Sequence, residues 1–182
     1  MVFSALVFIH LSKGIMVLSK SELISSLQKE IRVLLHLATK IDSSMLDYRP
    51  TPKQRSTIEL LRYLSMMGPA LVRAAKAGKF DEGAWTAAEK EASSRTLDRA
   101  VEAIREHSET YAELLSDVSE ADFRAEIELF GEKTTRGSAF VNLVLCSCAA
   151  YRTQLFLYLK ASGREELNSM NLWSGVDPPP ST

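Results

Sequence analysis

The sequence predicts an all-α protein, a four-helix bundle with a possible minor β-hairpin. Four segments carry apolar residues at steps of three and four, which is the spacing of amphipathic helices. Turn residues are scarce: the 182 residues include 8 glycines and 6 prolines, and three of the prolines stand together at positions 178–180. A chain of this length holds one domain of ordinary size, so the four helices are expected to pack around one core.

The first predicted helix begins after Ser19. Residues 19–22 (SKSE) have the pattern of a capping box, in which the serine and glutamate side chains each bond the backbone of the other residue. An apolar stripe then continues over six turns. It comprises Leu23, Leu27, Ile31, Leu34, Ala38 and Ile41.

A second capping box, at residues 56–59 (STIE), opens the next predicted helix. The preceding residues 49–52 (RPTP) cannot lie inside a helix because of their two prolines. We expect Gly68-Pro69 to kink or interrupt this second helix, since proline has no amide hydrogen to donate. Gly78 is a natural residue for its end.

A long connection separates the second helix from the third. Residues 84–92 within it can form a short helix anchored by Trp85. The connection is long enough to cross the bundle, so a simple up-and-down order is not required. The third helix is predicted over roughly residues 97–118, with one apolar face and one charged, solvated face.

Apolar and charged residues alternate over residues 123–129, which predicts a short strand and a hairpin that turns at Gly131. The fourth helix follows at residues 138–161 and is apolar on two faces. Its polar members, Arg152, Gln154 and Lys160, favour a core helix over a membrane span. We therefore expect no membrane partner.

Charge and cysteine content narrow the class of protein further. The chain has 22 Lys and Arg against 23 Asp and Glu, a formal net charge of -1, which argues against nucleic-acid binding. Cys146 and Cys148 are two positions apart, so a helix points them about 200° from each other. They can neither form a disulfide with each other nor chelate one metal together. We expect both to be buried, and the protein to be cytoplasmic.

Three parts of the chain are expected to differ in character. Residues 1–15 form an apolar leader that lacks a basic start and is too short to span a membrane. We expect it to lie outside the native fold, with Met16 as the more natural start; a docked leader and a secretory signal stay open as alternatives. Residues 16–177 form the bundle, and residues 178–182 a proline-rich disordered tail.

Two segments of the chain resemble DinB/YfiT-like proteins. Residues 46–50 (LDYRP) and 56–64 (STIELLRYL) are similar to the first half of such a domain. Residues 151–159 (YRTQLFLYL), Gly163 and residues 171–173 (NLW) are similar to its second half. The resemblance covers roughly residues 20–177. It implies a four-helix bundle that is often dimeric, and in many members a divalent metal held by three histidines. Thiol transfer to electrophiles and metal-dependent hydrolysis are the activities that it implies.

The family's three metal-ligand positions fall, by this resemblance, on Tyr63, Ser147 and Tyr151. None is a histidine, and a phenol must lose a proton of pKa near 10 before it binds a metal as an anion. The sequence therefore predicts a degenerate site with no metal and no other cofactor. Arg152 and Gln154 match the rest of the family's motif.

The remaining histidines do not rebuild a metal site in the sequence. His36 is expected to be a buried or half-buried histidine with its hydrogen bonds satisfied, His107 a surface residue on the charged helix, and His10 part of the leader. No two of them share a helix at ligand spacing. The sequence also lacks a Gly-rich phosphate loop, Gly-x-Ser-x-Gly, His-Glu-x-x-His and Cys-x-x-Cys.

These observations favour a non-catalytic protein that binds a small ligand or acts as a homodimer. The predicted pocket is lined by Tyr63, Ser147 and Tyr151, with His36, Arg152 and Gln154 as possible neighbours. A metal-dependent thiol S-transferase or hydrolase that uses a displaced site is the alternative. A purely structural dimer is the third hypothesis.

Overall fold

A computed structural model describes residues 18–179 and confirms the all-α class. The predictions for residues 1–15, for His10 and for residues 180–182 of the tail lie outside this part of the chain. The elements are α1 (Lys20–Ala38), α2 (Thr57–Ala77), α3 (Glu82–Ala92), α4 (Leu97–Leu114), β1 (Glu126–Leu129), β2 (Glu132–Thr135), α5 (Arg136–Ala139), a π-helical segment (Phe140–Leu145), α6 (Cys146–Ala161) and α7 (Ser169–Trp173). Helices α1, α2, α4 and α6 form the bundle.

Both predicted capping boxes are present. The Glu22 amide donates to Ser19 Oγ at 3.3 Å, and the Ser19 amide donates to Glu22 Oε2 at 2.8 Å. The same pair of bonds joins Ser56 and Glu59, at 3.5 and 2.8 Å. These bonds occupy amides that a helix start leaves without partners, and they begin α1 and α2 at the positions that the sequence predicts.

Helices α1 and α4 run antiparallel. Lys20 at the start of α1 donates to the carbonyl of Ser116 beyond α4, and Gln28 donates to the carbonyl of Ser108. Helices α2 and α4, in contrast, run parallel, because α3 crosses back along the bundle between them. The long connection therefore crosses the bundle, as its length permits. In chain order the four bundle helices run up, down, down and up.

Helix α2 passes through Gly68-Pro69 without a break, so the predicted interruption is wrong. The proline leaves the carbonyl of Ser65, four residues earlier, without its helical donor. Two side chains from outside the helix bond this carbonyl instead: Arg95 Nη1 at 2.8 Å and His107 Nε2 at 3.3 Å. These donors replace the missing amide and allow the helix to continue to Gly78, which ends it with a φ of 65°.

His107 is buried, with 5% of its surface exposed, so its prediction as a surface residue is wrong. Its ring packs against Tyr111 on the same helix, with centroids 5.8 Å apart. Glu106 and Glu109, its charged neighbours in the sequence, predict a solvated face for this part of the helix. The ring lies instead on the face that meets α2, where it bonds the Ser65 carbonyl.

The helix Arg136–Ala161 is long and apolar enough to cross a membrane by length and composition, and 33% of its most apolar stretch is buried. Cys148 is buried and Cys146 is exposed, so the prediction that both are buried holds for one of them. Side chains two positions apart on a helix point about 200° from each other, so Cys146 faces outward when Cys148 faces the core. Leu157, 57% exposed, lies on the same helix.

The predicted hairpin is present. Strands β1 and β2 pair antiparallel, with Glu126 opposite Thr135 and Leu129 opposite Glu132. The turn between them contains Gly131, whose φ of 80° is one that glycine adopts readily. Phe123, which the alternating pattern placed in the strand, lies in a short 3₁₀ turn at Asp122–Arg124 instead.

Replacing Gly68 with alanine is expected to lower the free energy of unfolding by about 2 kcal/mol. A Cβ at this position would lie 2.0 Å from the Oη and 3.0 Å from the Cζ of Tyr111, which is fully buried. Overpacking of this kind costs about 1–3 kcal/mol or more, whereas alanine gains only about 1 kcal/mol over glycine inside a helix. Urea denaturation of the variant measures the difference.

Gly83→Ala in α3 is the matched control for that prediction. Its new Cβ would meet its nearest atom, Asp81 Oδ1, at 3.5 Å, an ordinary contact, so we expect no loss of stability. Adding Tyr111→Phe to Gly68→Ala removes the clashing oxygen and should restore part of the loss. A Gly68→Ala variant as stable as the wild type would show that Tyr111 can move aside.

Candidate ligand-binding site

Two of the three predicted pocket residues meet between α2 and α6. The rings of Tyr63 and Tyr151 lie edge to face, with centroids 5.1 Å apart and planes at 65°. Ser147 lies one helical turn before Tyr151 on α6 and is half-buried. The capping box at Ser56 fixes where α2 starts, and the packing of its apolar face against α6 places Tyr63 beside Tyr151.

The Tyr63 hydroxyl is held in its neutral form. Burial raises its pKa above the ordinary value of 10, and the hydrogen bond and charge of Tyr151 raise it further. The Arg55 guanidinium acts in the opposite direction and does not outweigh these effects. At neutral pH the Tyr63 side chain therefore offers a hydroxyl group and an aromatic surface.

A cavity of about 380 Å³ opens beside Tyr63. One side is formed by α3, and the other by α2 and the residues just before it. Its walls combine charged, aromatic and apolar side chains. They are Arg55, Glu59, Arg62, Tyr63, Met66, Glu89, Ala92 and Ser93. The Trp85 ring on α3 packs on the edge of Tyr63 with centroids 6.0 Å apart, so α3 closes one side of the site.

Two arginines of this cavity are held in place by contacts within the protein. The guanidinium carbon of Arg55 lies 3.9 Å from the centroid of the Tyr63 ring. Arg62 Nε donates to the carbonyl of Arg95 at 2.8 Å. Glu59 accepts a hydrogen bond from the Ser56 amide and forms an ion pair with Arg49.

Gln154, a predicted neighbour of the pocket, does not line the cavity but is linked to it through Tyr158. Its Nε2 donates to the Tyr158 hydroxyl at 2.5 Å, and this hydroxyl donates to the carbonyl of Arg55 at 3.0 Å. The Tyr158 ring is itself packed on Tyr48, with centroids 5.5 Å apart. This chain of contacts links α6 to the backbone of Arg55.

The contacts of His36 and Arg152 lie with the C-terminal segment. His36 is half-buried, as predicted, and its Nε2 lies 3.1 Å from Asn171 Nδ2 and 3.6 Å from Asp177 Oδ1. Arg152 pairs with Glu30 of α1 and donates to the Leu172 carbonyl at 2.8 Å. These contacts hold α7 against the bundle.

Sequence reasoning missed Arg55, Arg62 and Glu89 as cavity residues. Arg55 stands directly before the Ser56 helix cap, which indicates where its backbone lies but not that its side chain covers Tyr63. Glu89 reaches the site only because α3 packs along α2. Within residues 18–179, no group of three His, Cys, Asp or Glu side chains is arranged to hold a metal ion.

The structure is a helical bundle in which α3 crosses between α2 and α4 and a hairpin precedes the last bundle helix. The crystal structure of the DinB-like protein YjoA from Bacillus subtilis superposes on this chain with a TM-score of 0.61 at 20% sequence identity. The match covers 80% of this chain and 95% of YjoA, so the fold implied by the resemblance is confirmed. No family model matches the sequence, and no curated protein matches it.

Proposed function

We propose that this DinB-like protein binds a small molecule in the cavity beside Tyr63 and does so without a metal ion. The contact between Tyr63 and Tyr151 is the observation that carries this proposal. By the sequence resemblance, these residues stand where many family members have histidine ligands. Here their rings lie edge to face, and the Tyr63 ring lines the cavity.

The side chains at the three ligand positions do not fit a divalent cation. A neutral imidazole donates a lone pair at pH 7, whereas Tyr63, Ser147 and Tyr151 present hydroxyl oxygens. Tyr63 would have to ionise to become a strong ligand, and burial raises its pKa in the direction that opposes this. The proposed function therefore does not use a metal ion.

The cavity has the properties of a small-molecule site. A volume of about 380 Å³ lies within the usual range for ligand pockets, roughly 300–1,000 Å³. Met66 and Ala92 supply apolar surface, and the Tyr63 ring supplies a rigid aromatic surface. The neighbouring arginines and glutamates can orient a polar ligand.

The test compares metal binding by the wild type with that by the triple variant Tyr63→His, Ser147→His, Tyr151→His. We expect wild-type protein purified without chelator to hold far less than one transition-metal ion per chain. The triple variant should bind about one Co²⁺ per chain and show its visible absorption bands, because three imidazoles then stand at the family's ligand positions. Elemental analysis and Co²⁺ titration provide the two measurements.

The single variant Ser147→His is the control, since one imidazole does not complete a metal site. Stoichiometric zinc or nickel in the wild type would overturn the proposal and favour the metal-dependent thiol S-transferase or hydrolase. A triple variant that is folded but binds no Co²⁺ would show that the three positions do not converge. The homodimer and the cytoplasmic location stay predictions.

A further inference from the structure

We infer that the ligand of the Tyr63 cavity carries a carboxylate group, which Arg55 and Arg62 bind. This inference rests on the proposed function, since it names the chemical class of the molecule that the cavity takes. It follows from how the two guanidinium groups are held and from the charges around them.

Arg62 is anchored through one edge of its guanidinium. Its Nε donates to the Arg95 carbonyl at 2.8 Å, and the side chain lines the cavity. An arginine has five N–H donors in a fixed plane, so this bond leaves the terminal nitrogens to bind a second group. The side chain is half-buried, which limits its freedom before a ligand binds.

The Arg55 guanidinium is held over the ring of Tyr63. With its guanidinium carbon 3.9 Å from the Tyr63 centroid, the group is held by the negative face of the ring. Within residues 18–179 the Arg55 guanidinium donates no hydrogen bond to another residue, so its N–H groups are available to a ligand. The bond from the Tyr158 hydroxyl to the Arg55 carbonyl holds the backbone of the same residue.

The charged side chains of the cavity wall are two arginines and two glutamates. Within residues 18–179, neither Arg55 nor Arg62 lies in ion-pair contact with a carboxylate. Glu59 pairs with Arg49 at 3.3 Å in a contact whose side chains are 43% and 37% exposed. With Arg49 counted, three arginines stand against Glu59 and Glu89, so one positive charge is uncompensated.

A carboxylate fits this wall better than a phosphate or an ammonium group. It is planar and accepts two parallel hydrogen bonds from a guanidinium, and its single charge matches the uncompensated one. A phosphate dianion would add a second negative charge close to Glu59 and Glu89, and an ammonium would face two arginines. Met66 and Ala92 leave room for an apolar body, so small aromatic or aliphatic carboxylates are the expected class.

The experiment titrates the full-length protein with benzoate, phenyl phosphate, benzylamine and benzyl alcohol, four probes that share a ring and differ in the polar group. Binding is followed by chemical-shift changes of the protein amides. We expect benzoate to bind most tightly and to shift amides of α2 and α3. Arg62→Gln and Arg55→Gln should each weaken benzoate binding by about tenfold or more, because each removes a charge-assisted hydrogen bond.

Arg32→Gln, an exposed arginine of α1 outside the cavity, is the matched control and should leave benzoate binding unchanged. Arg62→Lys keeps the charge but loses the planar fork, so it should fall between the wild type and Arg62→Gln. Circular dichroism of each variant confirms that it is folded. Glu89→Gln should strengthen benzoate binding, because it removes the negative charge nearest to the ligand.

Three outcomes would overturn the inference. Benzylamine or benzyl alcohol binding as tightly as benzoate would contradict the carboxylate but leave the small-ligand site standing. Benzoate binding that Arg55→Gln and Arg62→Gln do not weaken would place the probe elsewhere. Absence of binding by all four probes would reject the carboxylate class, while the metal measurements on the wild type and the triple variant would still decide the proposed function.

Discussion

Replacing Arg152 with methionine should lower the free energy of unfolding by about 3–4 kcal/mol. The Arg152 side chain is 3% exposed, and its Nε lies 3.1 Å from Oε2 of Glu30, which is 12% exposed. Without the guanidinium, the Glu30 carboxylate stays largely buried against α6, and Lys29 is the remaining positive charge that acts on it. Removing one partner of a buried pair typically costs about 3–5 kcal/mol, and this pair falls in the lower part of that range because its two atoms are not aligned for a hydrogen bond.

The same variant should loosen the C-terminal segment. Arg152 Nη1 donates to the Leu172 carbonyl at 2.8 Å, and the guanidinium lies 4.8 Å from the centroid of the Trp173 ring. Hydrogen exchange of the α7 amides should therefore become faster in Arg152→Met than in the wild type. Urea denaturation measures the loss of global stability.

The loss in Arg152→Met should shrink as the pH falls from 7 to about 4.5. Burial already raises the pKa of Glu30 above its usual value, although Arg152 acts to lower it. Without Arg152 the pKa rises further, because the larger of the two charges that lower it is gone and Lys29 alone remains. Acid therefore protonates Glu30 in the folded variant and removes the cost of burying its charge.

Arg105→Met is the control for this prediction, since Arg105 pairs with Glu102 in an exposed contact, with side chains 58% and 54% exposed. Its effect should not exceed about 1 kcal/mol. The double variant Arg152→Met, Glu30→Met should recover much of the loss at pH 7. A loss below about 1 kcal/mol in Arg152→Met alone would show that water reaches Glu30 and that the pair contributes little.

The second large effect is a pH dependence that comes from His107. Burial lowers the pKa of His107 from 6.5 to about 4, although its bond to the Ser65 carbonyl acts in the opposite direction. The folded protein therefore holds the ring neutral at pH values where the unfolded chain is protonated. The stabilisation is complete above pH 6.5 and is lost as the pH falls towards 4, with a total of about 3 kcal/mol.

The measurement is the free energy of unfolding of the wild type and of His107→Gln between pH 4 and 7.5. Glutamine can still donate a hydrogen bond to Ser65 but does not titrate. Relative to this variant, the wild type should lose about 3 kcal/mol over the range. His36→Gln is the control; because His36 lies closer to solvent, its dependence should be smaller. Parallel curves for the wild type and His107→Gln would contradict the prediction.

Much of the fold follows from short-range patterns in the chain. The capping boxes at Ser19 and Ser56 begin two helices where expected, and Gly78 ends the second. Each depends on hydrogen bonds or on a backbone conformation within a few residues. Tyr63 and Tyr151 are in contact, but of the three residues in the predicted pocket only Tyr63 lines the cavity, and the pocket stays a prediction.

Two of the errors share one cause. The sequence predicts an interruption of α2 at Pro69 and a ring of His107 that faces water, because each pattern covers one segment of the chain alone. In the structure the two features belong together, since His107 and Arg95 donate to the carbonyl that Pro69 leaves without a donor. Nothing in either segment alone shows that α4 runs parallel to α2 at this point.

The sequence by itself determined where the first two bundle helices start, where the hairpin turns and that tyrosine, serine and tyrosine stand at positions 63, 147 and 151. These features depend on neighbouring residues or on residue identity. Only the tertiary structure decided that α3 would cross back beside α2, that Arg55 would cover Tyr63 and that Arg152 would meet Glu30. Such contacts join residues far apart in the chain, and their energy depends on burial that forms only when the helices pack together.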